Sequence, residues 1–405
     1  MKYIIVLGDG MADEPIADLD HKTPLEYAST PMLDELAAMS EIGLVHTIPE
    51  GMNPGSDTAN LSVLGYNPRQ YYTGRSPLEA LSIGVPMKDT DIALRCNLVT
   101  LSEEEPYAEK TILDHSSGEI STKEAAELIE AVKAGLAEEG RFQFYTGTSY
   151  RHLLIWEKGQ VVELTPPHDV LGQTIGQHLP QELLLKEMME KSYEILAEHP
   201  INIERKKKGL NPANSIWFWG AGTKPALSSF EEKNQRKGAM ISAVDLLKGI
   251  AVGAGMKNME VEGADGTLHT NYEGKADAAV NVLTDDGYDF VYIHVEAPDE
   301  MGHQGSWERK VQAIQYLDEK VIRRVKEGMD KAGEEYRMLV LPDHPTPVSV
   351  RTHTSAPVPY LLYDSTCGQR TDSAQLQWKY NEREAKKSGN YIAEGHKLIE
   401  LLFSK

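Results

Sequence analysis

Three short apolar runs in this chain each lead into acidic residues. Residues 3–7 are followed by Gly8 and Asp9. Residues 290–295 are followed by Glu296, Ala297, Pro298 and Asp299. Residues 338–341 are followed by Pro342, Asp343 and His344. Continuous apolar runs of this length read as strands of a parallel sheet buried on both faces. In open α/β sheets the ligand site lies beyond the carboxyl ends of the strands. The acids are therefore expected together along one edge.

Helices fill the intervals. Thr30-Pro31 opens one, with a capping residue and then proline at the first helical position. Ser306 caps a long helix reaching Met329, with Val311, Ile314, Leu317, Val321 and Val325 on one face. Alternating strands and helices give an α/β domain. The middle of the chain differs. Strands are expected at 93–101, 143–145 and 152–156, and a helix over 183–205. Ser121 and Glu124 form a capping box for a helix ending near Gly135. The polar run 206–211 ends at Pro212 and suits a boundary. The expectation is an α/β core over 1–87 and 213–405, with a smaller α+β cap domain inserted at 88–212. A length of 405 residues suits that division.

Composition removes several functions. The formal net charge is −21, so nucleic acid and anionic membranes are not expected partners. The one dense basic run, Arg205 to Lys208, reads as a solvated surface. Two distant cysteines, Cys96 and Cys367, exclude a disulfide scaffold and a thiolate zinc cluster. No apolar stretch is long enough to span a membrane, and the N-terminal run is too short for a signal peptide. The cytoplasm is the expected location. There is neither a GxxxxGK[ST] loop nor a GxSxG elbow.

The strongest chemical constellation is Asp9, Asp299, His303, Asp343, His344 and His353. Carboxylate and imidazole together suit divalent cations such as Mn²⁺ or Zn²⁺. Asp299 and His303 lie one helical turn apart, and Asp343 and His344 are adjacent at a strand end. A lone Asp-His pair is usually a surface turn; here the fold rule brings several pieces to one place. A second constellation is Met52-Asn-Pro-Gly-Ser-Asp-Thr-Ala-Asn60. Ser56 there reads either as a helix cap or as a nucleophile activated by a nearby cation. Candidate phosphate or carboxylate binders are Arg75, Arg95, Arg151, His152, His168 and Lys224. Arg95, Arg151 and His152 fall in the expected cap. The aromatics of Trp217-Phe-Trp219 read as core.

These marks taken together resemble the cofactor-independent phosphoglycerate mutases, in the shorter archaeal-type group also found in bacteria. The matching segments are Leu7-Gly-Asp-Gly10, Pro54-Gly-Ser-Asp-Thr-Ala-Asn60, Thr73-Gly-Arg-Ser-Pro-Leu-Glu79, Arg95-Cys-Asn-Leu98, Trp217-x-Trp-Gly-x-Gly222, Asp299-x-x-x-His303, Asp343-His344 and Thr352-His353. They span nearly the whole chain. The resemblance implies an alkaline-phosphatase-like three-layer core with a mainly parallel sheet and an inserted cap. It implies two divalent metal ions, Mn²⁺ first and Zn²⁺, Co²⁺ or Mg²⁺ as alternatives. Asp9, Ser56, Asp343 and His344 match the ligands of one ion, and Asp299, His303 and His353 those of the other. Ser56 matches the residue that becomes phosphorylated. Where the longer bacterial mutases have Asn-Ser-Glu, this chain has Gly-Ser-Asp. The implied substrate is a small phosphorylated acid, phosphoglycerate. A homoserine kinase-type phosphotransferase and a metal-dependent phosphomonoesterase are the alternatives on this scaffold. An inactive binding protein ranks below them, because all seven matched positions are intact. An assembly of several copies is left open.

Overall fold

The computed structural model describes residues 1–367 and 378–404. The chain divides into two units: Met1–Tyr72 with Ala226–Lys405, and Thr73–Pro225, inserted between them in sequence. Strands are numbered along the chain: β1 Lys2–Gly8, β2 Glu41–Val45, β3 Ile92–Leu101, β4 Ile112–Asp114, β5 Phe142–Tyr145, β6 Arg151–Trp156, β7 Ser215–Thr223, β8 Gly238–Ile241, β9 Lys257–Asn258, β10 Phe290–Val295, β11 Tyr336–Leu341, β12 Val358–Asp364 and β13 Tyr391–Ile392.

The first unit is built on a sheet of order β13-β2-β12-β11-β1-β10-β8-β9. β1 pairs in parallel with β10 on one side and β11 on the other, and β10 pairs in parallel with β8. Only β12 runs against both of its neighbours. The apolar runs are thus the centre of a mainly parallel α/β sheet, as their continuity predicts. Alternate residues face opposite sides. Ile4, Val6, Val291, Ile293, Met338 and Val340 pack on one face against Leu33, Leu36, Ala276, Ala279, Ile314 and Val321, all on helices. Phe290, pointing the other way, stacks on Phe230 at 4.8 Å and meets Phe403 at 5.9 Å.

Two helices differ from expectation for identifiable reasons. Ser306 does cap its helix, accepting from Arg309 N. The helix is not continuous, however: Trp307–Tyr316 passes through a π turn, Leu317–Ile322, into Arg323–Ala332. Asp318 lies in that widened turn. Its carboxylate accepts the N–H groups of Met32 (3.2 Å) and Leu33 (2.6 Å). These open the helix Pro31–Ala37, whose own Thr30 makes no side-chain cap bond. The cap expected from Thr30 is supplied by a residue far away in sequence. The stretch 183–205 is two helices, Leu183–Leu196 and Pro200–Lys207, because Pro200 has no N–H with which to continue.

The second unit holds an antiparallel sheet, β4-β3-β6-β5, with β7 on β3. Leu94, Cys96, Leu98, Ile216 and Phe218 pack with the helices Thr122–Leu136 and Leu183–Leu196. Ser121 caps the first of these, as the capping box predicts. Ala80, Val85 and Met87 pack with Ala93, Leu153 and Ile155. The unit therefore runs from Thr73 to Pro225, wider than the 88–212 expected. The polar run before Pro212 ends a helix, and the chain then returns as β7 to pair with β3. No helix among the described residues is long and apolar enough to cross a membrane.

Asp318→Ala leaves two buried N–H groups without partners. It is expected to lower the free energy of unfolding by about 2–4 kcal/mol, with an unchanged urea m value. Equilibrium urea unfolding checks this.

Candidate metal centre

β1, β10 and β11 end at one level because Leu7 lies opposite His294 on one side and Leu341 on the other. Asp9 follows β1 directly, and its N–H donates to the Val295 carbonyl (2.9 Å). Asp299 sits in the first turn of the helix Ala297–His303, and His303 ends it one turn later. Asp343 and His344 follow β11. Gly10 adopts φ +59°, and a Cβ there would lie 2.5 Å from Asp299 Oδ1 and 2.6 Å from Thr346 Oγ1. A side chain at this turn would drive the acids apart.

Three of the predicted groups surround a ring nitrogen of a fourth, His344. His344 Nε2 lies 3.1 Å from Ser56 Oγ, 3.4 Å from Asp343 Oδ2 and 3.5 Å from Asp9 Oδ1. Ser56 is the first residue of the helix Ser56–Val63, not its cap. Gly55 holds the cap position, and no side chain caps the helix. The hydroxyl is thereby left to His344. The other three groups form a second set. His303 Nε2 is 3.2 Å from Asp299 Oδ2 and 3.0 Å from His353 Nε2, which lies 3.5 Å from Asp299 Oδ1. The His344 and His353 rings are 4.1 Å apart between centroids, so the two sets adjoin.

Several supporting residues escaped the sequence reading. Asn60 donates to Asp343 Oδ2 (2.9 Å) and to the Ser56 carbonyl (2.8 Å), and accepts from the Tyr292 hydroxyl. Thr346 Oγ1 donates to Asp299 Oδ1 at 2.5 Å. His294, fully buried in β10, places Nε2 3.1 Å from Asp9 Oδ2. The signal was present: a histidine inside an otherwise apolar strand has to have partners.

The electrostatics favour a cation. Burial, then the carboxylates of Asp343 and Asp299, drive Asp9 well above the usual carboxylate range, and His294 offsets only part of this. Burial works against the His294 imidazolium, but Glu296 and Asp9 outweigh it and raise the group to about 10. Burial likewise opposes ionised Asp299, yet His303 and His353 hold it well below its ordinary value. His303 is raised to about 9, chiefly by its bond to Asp299. Carboxylates crowd here with too little positive charge, and a cation would displace the shared protons. The donor atoms agree. Asp9 Oδ1 and His294 Nε2 are buried without hydrogen-bond partners. Ligand atoms of Asp9, His294 and Asp343 lie within 4.8 Å of one another, as do those of Asp299, His344 and His353. Oxygen and imidazole donors in these sets fit divalent ions.

The other six candidates lie in the second unit. Arg95 projects from β3 over the Trp219 ring at 5.1 Å and pairs with Glu79, which also takes Arg75 Nε at 2.9 Å. His168 meets Trp219 edge-on at 5.4 Å and His115 at 6.2 Å. Arg151 lies over Tyr150 at 5.1 Å. Burial lowers the pKa of Arg95 and of His168; Arg75 and Arg151 add to the effect on Arg95, and His115, Arg75 and Arg95 to that on His168. Arg75, Arg95, Arg151 and His168 therefore form one basic group. Trp219, expected in the core, is only partly buried, whereas Trp217 is fully so. His152 is 1% exposed and accepts from Gly147 N at 3.1 Å; burial, then Arg95, pushes it down to about 3. It backs the basic group from inside. Lys224 lies beside Asp89 at 3.3 Å.

Asn60→Leu removes the partners of two buried groups, Asp343 Oδ2 and the Tyr292 hydroxyl. It is expected to cost about 2–4 kcal/mol, and Tyr292→Phe only about 1 kcal/mol. Denaturant titration of both variants without added metal tests the ranking.

The family model for 2,3-bisphosphoglycerate-independent phosphoglycerate mutase matches residues 37–202. A Geobacter sulfurreducens protein, named "Probable 2,3-bisphosphoglycerate-independent phosphoglycerate mutase", is 48% identical, covering 100% of both chains. A Methanosarcina barkeri 2,3-bisphosphoglycerate-independent phosphoglycerate mutase is 46% identical, covering 99% of both. A solved Pyrococcus horikoshii structure superposes with a TM-score of 0.80 at 31% identity, covering 100% of this chain and 98% of that one. The cofactor-independent phosphoglycerate mutase of Thermoplasma acidophilum superposes with a TM-score of 0.66 at 27% identity, covering 99% of each. Full-length identity at this level, on a sheet whose strand ends carry the matched acids and histidines, makes the chain a member of the 2,3-bisphosphoglycerate-independent phosphoglycerate mutase family.

Proposed function

We propose that this chain interconverts 3-phosphoglycerate and 2-phosphoglycerate without 2,3-bisphosphoglycerate, and that Ser56 carries the phosphoryl group in transit. The observation that supports this most is Ser56 Oγ lying 3.1 Å from His344 Nε2, beside Asp9 and Asp343 and unused as a helix cap. Asp9, Ser56, Asp343 and His344 would hold one divalent ion, and Asp299, His303 and His353 the other. Bound there, such ions supply charge that lowers the pKa of a hydroxyl and stabilises phosphoryl oxygens. Mn²⁺ is the ion we favour for these hard and borderline donors.

Ser56 Oγ attacks phosphorus in line. The Oγ–P bond forms as the bond from phosphorus to the C3 oxygen breaks, and the hydroxyl proton passes to that oxygen. The C2 hydroxyl of the retained glycerate then attacks the phosphoserine. The bond to Ser56 breaks, and the serine recovers a proton. Asp343 is held still by the N–H groups of Gly10 and His344 and by Asn60, so its free lone pairs keep their aim. Within the second unit, the basic group of Arg75, Arg95, Arg151 and His168 has the chemistry to recognise a carboxylate or a phosphate. Water must stay away from the phosphoserine, since its attack would make the enzyme a phosphomonoesterase. We place the protein in the cytoplasm, in keeping with two unpaired cysteines.

Purified Mn²⁺-supplemented protein is expected to turn over 3-phosphoglycerate in an enolase-coupled assay with bisphosphoglycerate absent. EDTA should abolish the signal and Mn²⁺ restore it. Ser56→Ala should lower the rate at least about 10³-fold. Mutase activity surviving in that variant would sink the mechanism. Phosphate release alone, or transfer from ATP to homoserine, would move the reaction to another acceptor.

A further inference from the structure

We propose that His294 Nε2 is an additional ligand of the ion held by Asp9 and Asp343, braced from behind by Glu296 and Lys275. The proposal rests on the two-ion reading of the centre above.

His294 is the penultimate residue of β10 and Glu296 follows two positions later. Both are buried, at 0% and 5% exposure. His294 Nδ1 lies 3.1 Å from Glu296 Oε1 and 3.2 Å from Ser242 Oγ. A carboxylate only accepts, so Nδ1 carries the proton it shares with Glu296. That fixes the ring and leaves Nε2 facing Asp9. Nε2 stands 3.1 Å from Asp9 Oδ2 without a hydrogen bond, and Asp9 Oδ1 is unpartnered too. Two buried polar atoms left open side by side point to a third species between them. Asp343 reaches the same place, with ligand atoms of all three residues within 4.8 Å of one another. A histidine that gives one ring N–H to a carboxylate and keeps the other nitrogen free has the arrangement usual for a metal ligand.

The brace is complete. Lys275, fully buried on the helix Tyr272–Thr284, places Nζ 2.7 Å from Glu296 Oε2 and 2.8 Å from the His294 carbonyl. It balances Glu296, which also accepts from Ala243 N at 2.9 Å. Burying a lysine–glutamate pair is costly, and the phosphoryl chemistry at Ser56 uses neither residue. Its function is to hold one imidazole in one orientation.

A crystal of the Mn²⁺-loaded wild-type protein, with anomalous scattering locating the ions, needs no variant. His294 Nε2 is expected at about 2.1 Å from the ion beside Asp9. A separation beyond about 3 Å from every ion would reduce His294 to a strut for Asp9 and overturn the proposal. In equilibrium Mn²⁺ titrations, His294→Ala should weaken one of two sites at least about 100-fold, and Glu296→Gln the same site by about 10–100-fold. The site of Asp299, His303 and His353 stays unchanged in both and reports that the variants are folded. Two unaltered sites in His294→Ala would also overturn the proposal. Turnover of the same wild-type sample separates the claims. An active mutase whose ion is not bound by His294 defeats this inference alone. A His294-bound ion in a protein without mutase turnover defeats only the functional reading.

Discussion

The parallel pairing of β1 with β10 and β11 fixes where the three carboxylates of the centre stand. Backbone hydrogen bonds set the register, and the register brings three chain ends to one height. Asp9, Asp299 and Asp343 are then neighbours whatever their side chains prefer. Mutual repulsion makes the arrangement unfavourable unless something offsets it. In the described residues the offsets are N–H groups, the amide of Asn60, and four histidines. Such a cluster is held by the sheet against its own electrostatics, which is how a fold prepares a place for a cation.

Behind the acids lies a graded series of charges. Asp9 faces His294, His294 faces Glu296, and Glu296 faces Lys275, each pair in contact and each side chain buried. Opposite charges on Glu296 and Lys275 let that pair sit deep in the first unit with little net charge. A single substitution in such a chain leaves an uncompensated neighbour, so its members are coupled rather than additive.

Much of this could be read in the sequence because it depends on backbone rules. Apolar runs without alternation meant buried parallel strands, and the acids after them had to share an edge. The seven matched positions lie in the structure as two adjoining sets. What could not be read depends on tertiary partners. Ser56 behind a glycine looks like a cap, and only the position of His344 shows the hydroxyl turned elsewhere. Lys275 in a helix reads as a solvent-facing lysine until Glu296 is placed opposite. Asn60 falls one turn after Ser56 and reads as helix filler, although it ties the helix of Ser56 to Asp343. The domain limit was misplaced because a charged run and a proline mark where a helix stops, not where a unit does. Pro200 did announce the helix break that the reading passed over.

The pairing of β1 has a further consequence for how the protein is made. Tyr3 finds its partners at Phe290 and Arg337, so the central strand must wait for most of the chain to be synthesised. At about 5–20 residues per second the wait is roughly 15–70 s. Thr73–Pro225 is contiguous and can fold on the ribosome well before then. Ile4, Ile5, Val6 and Leu7, all at 0% exposure in the finished protein, meanwhile stay without the neighbours that cover them.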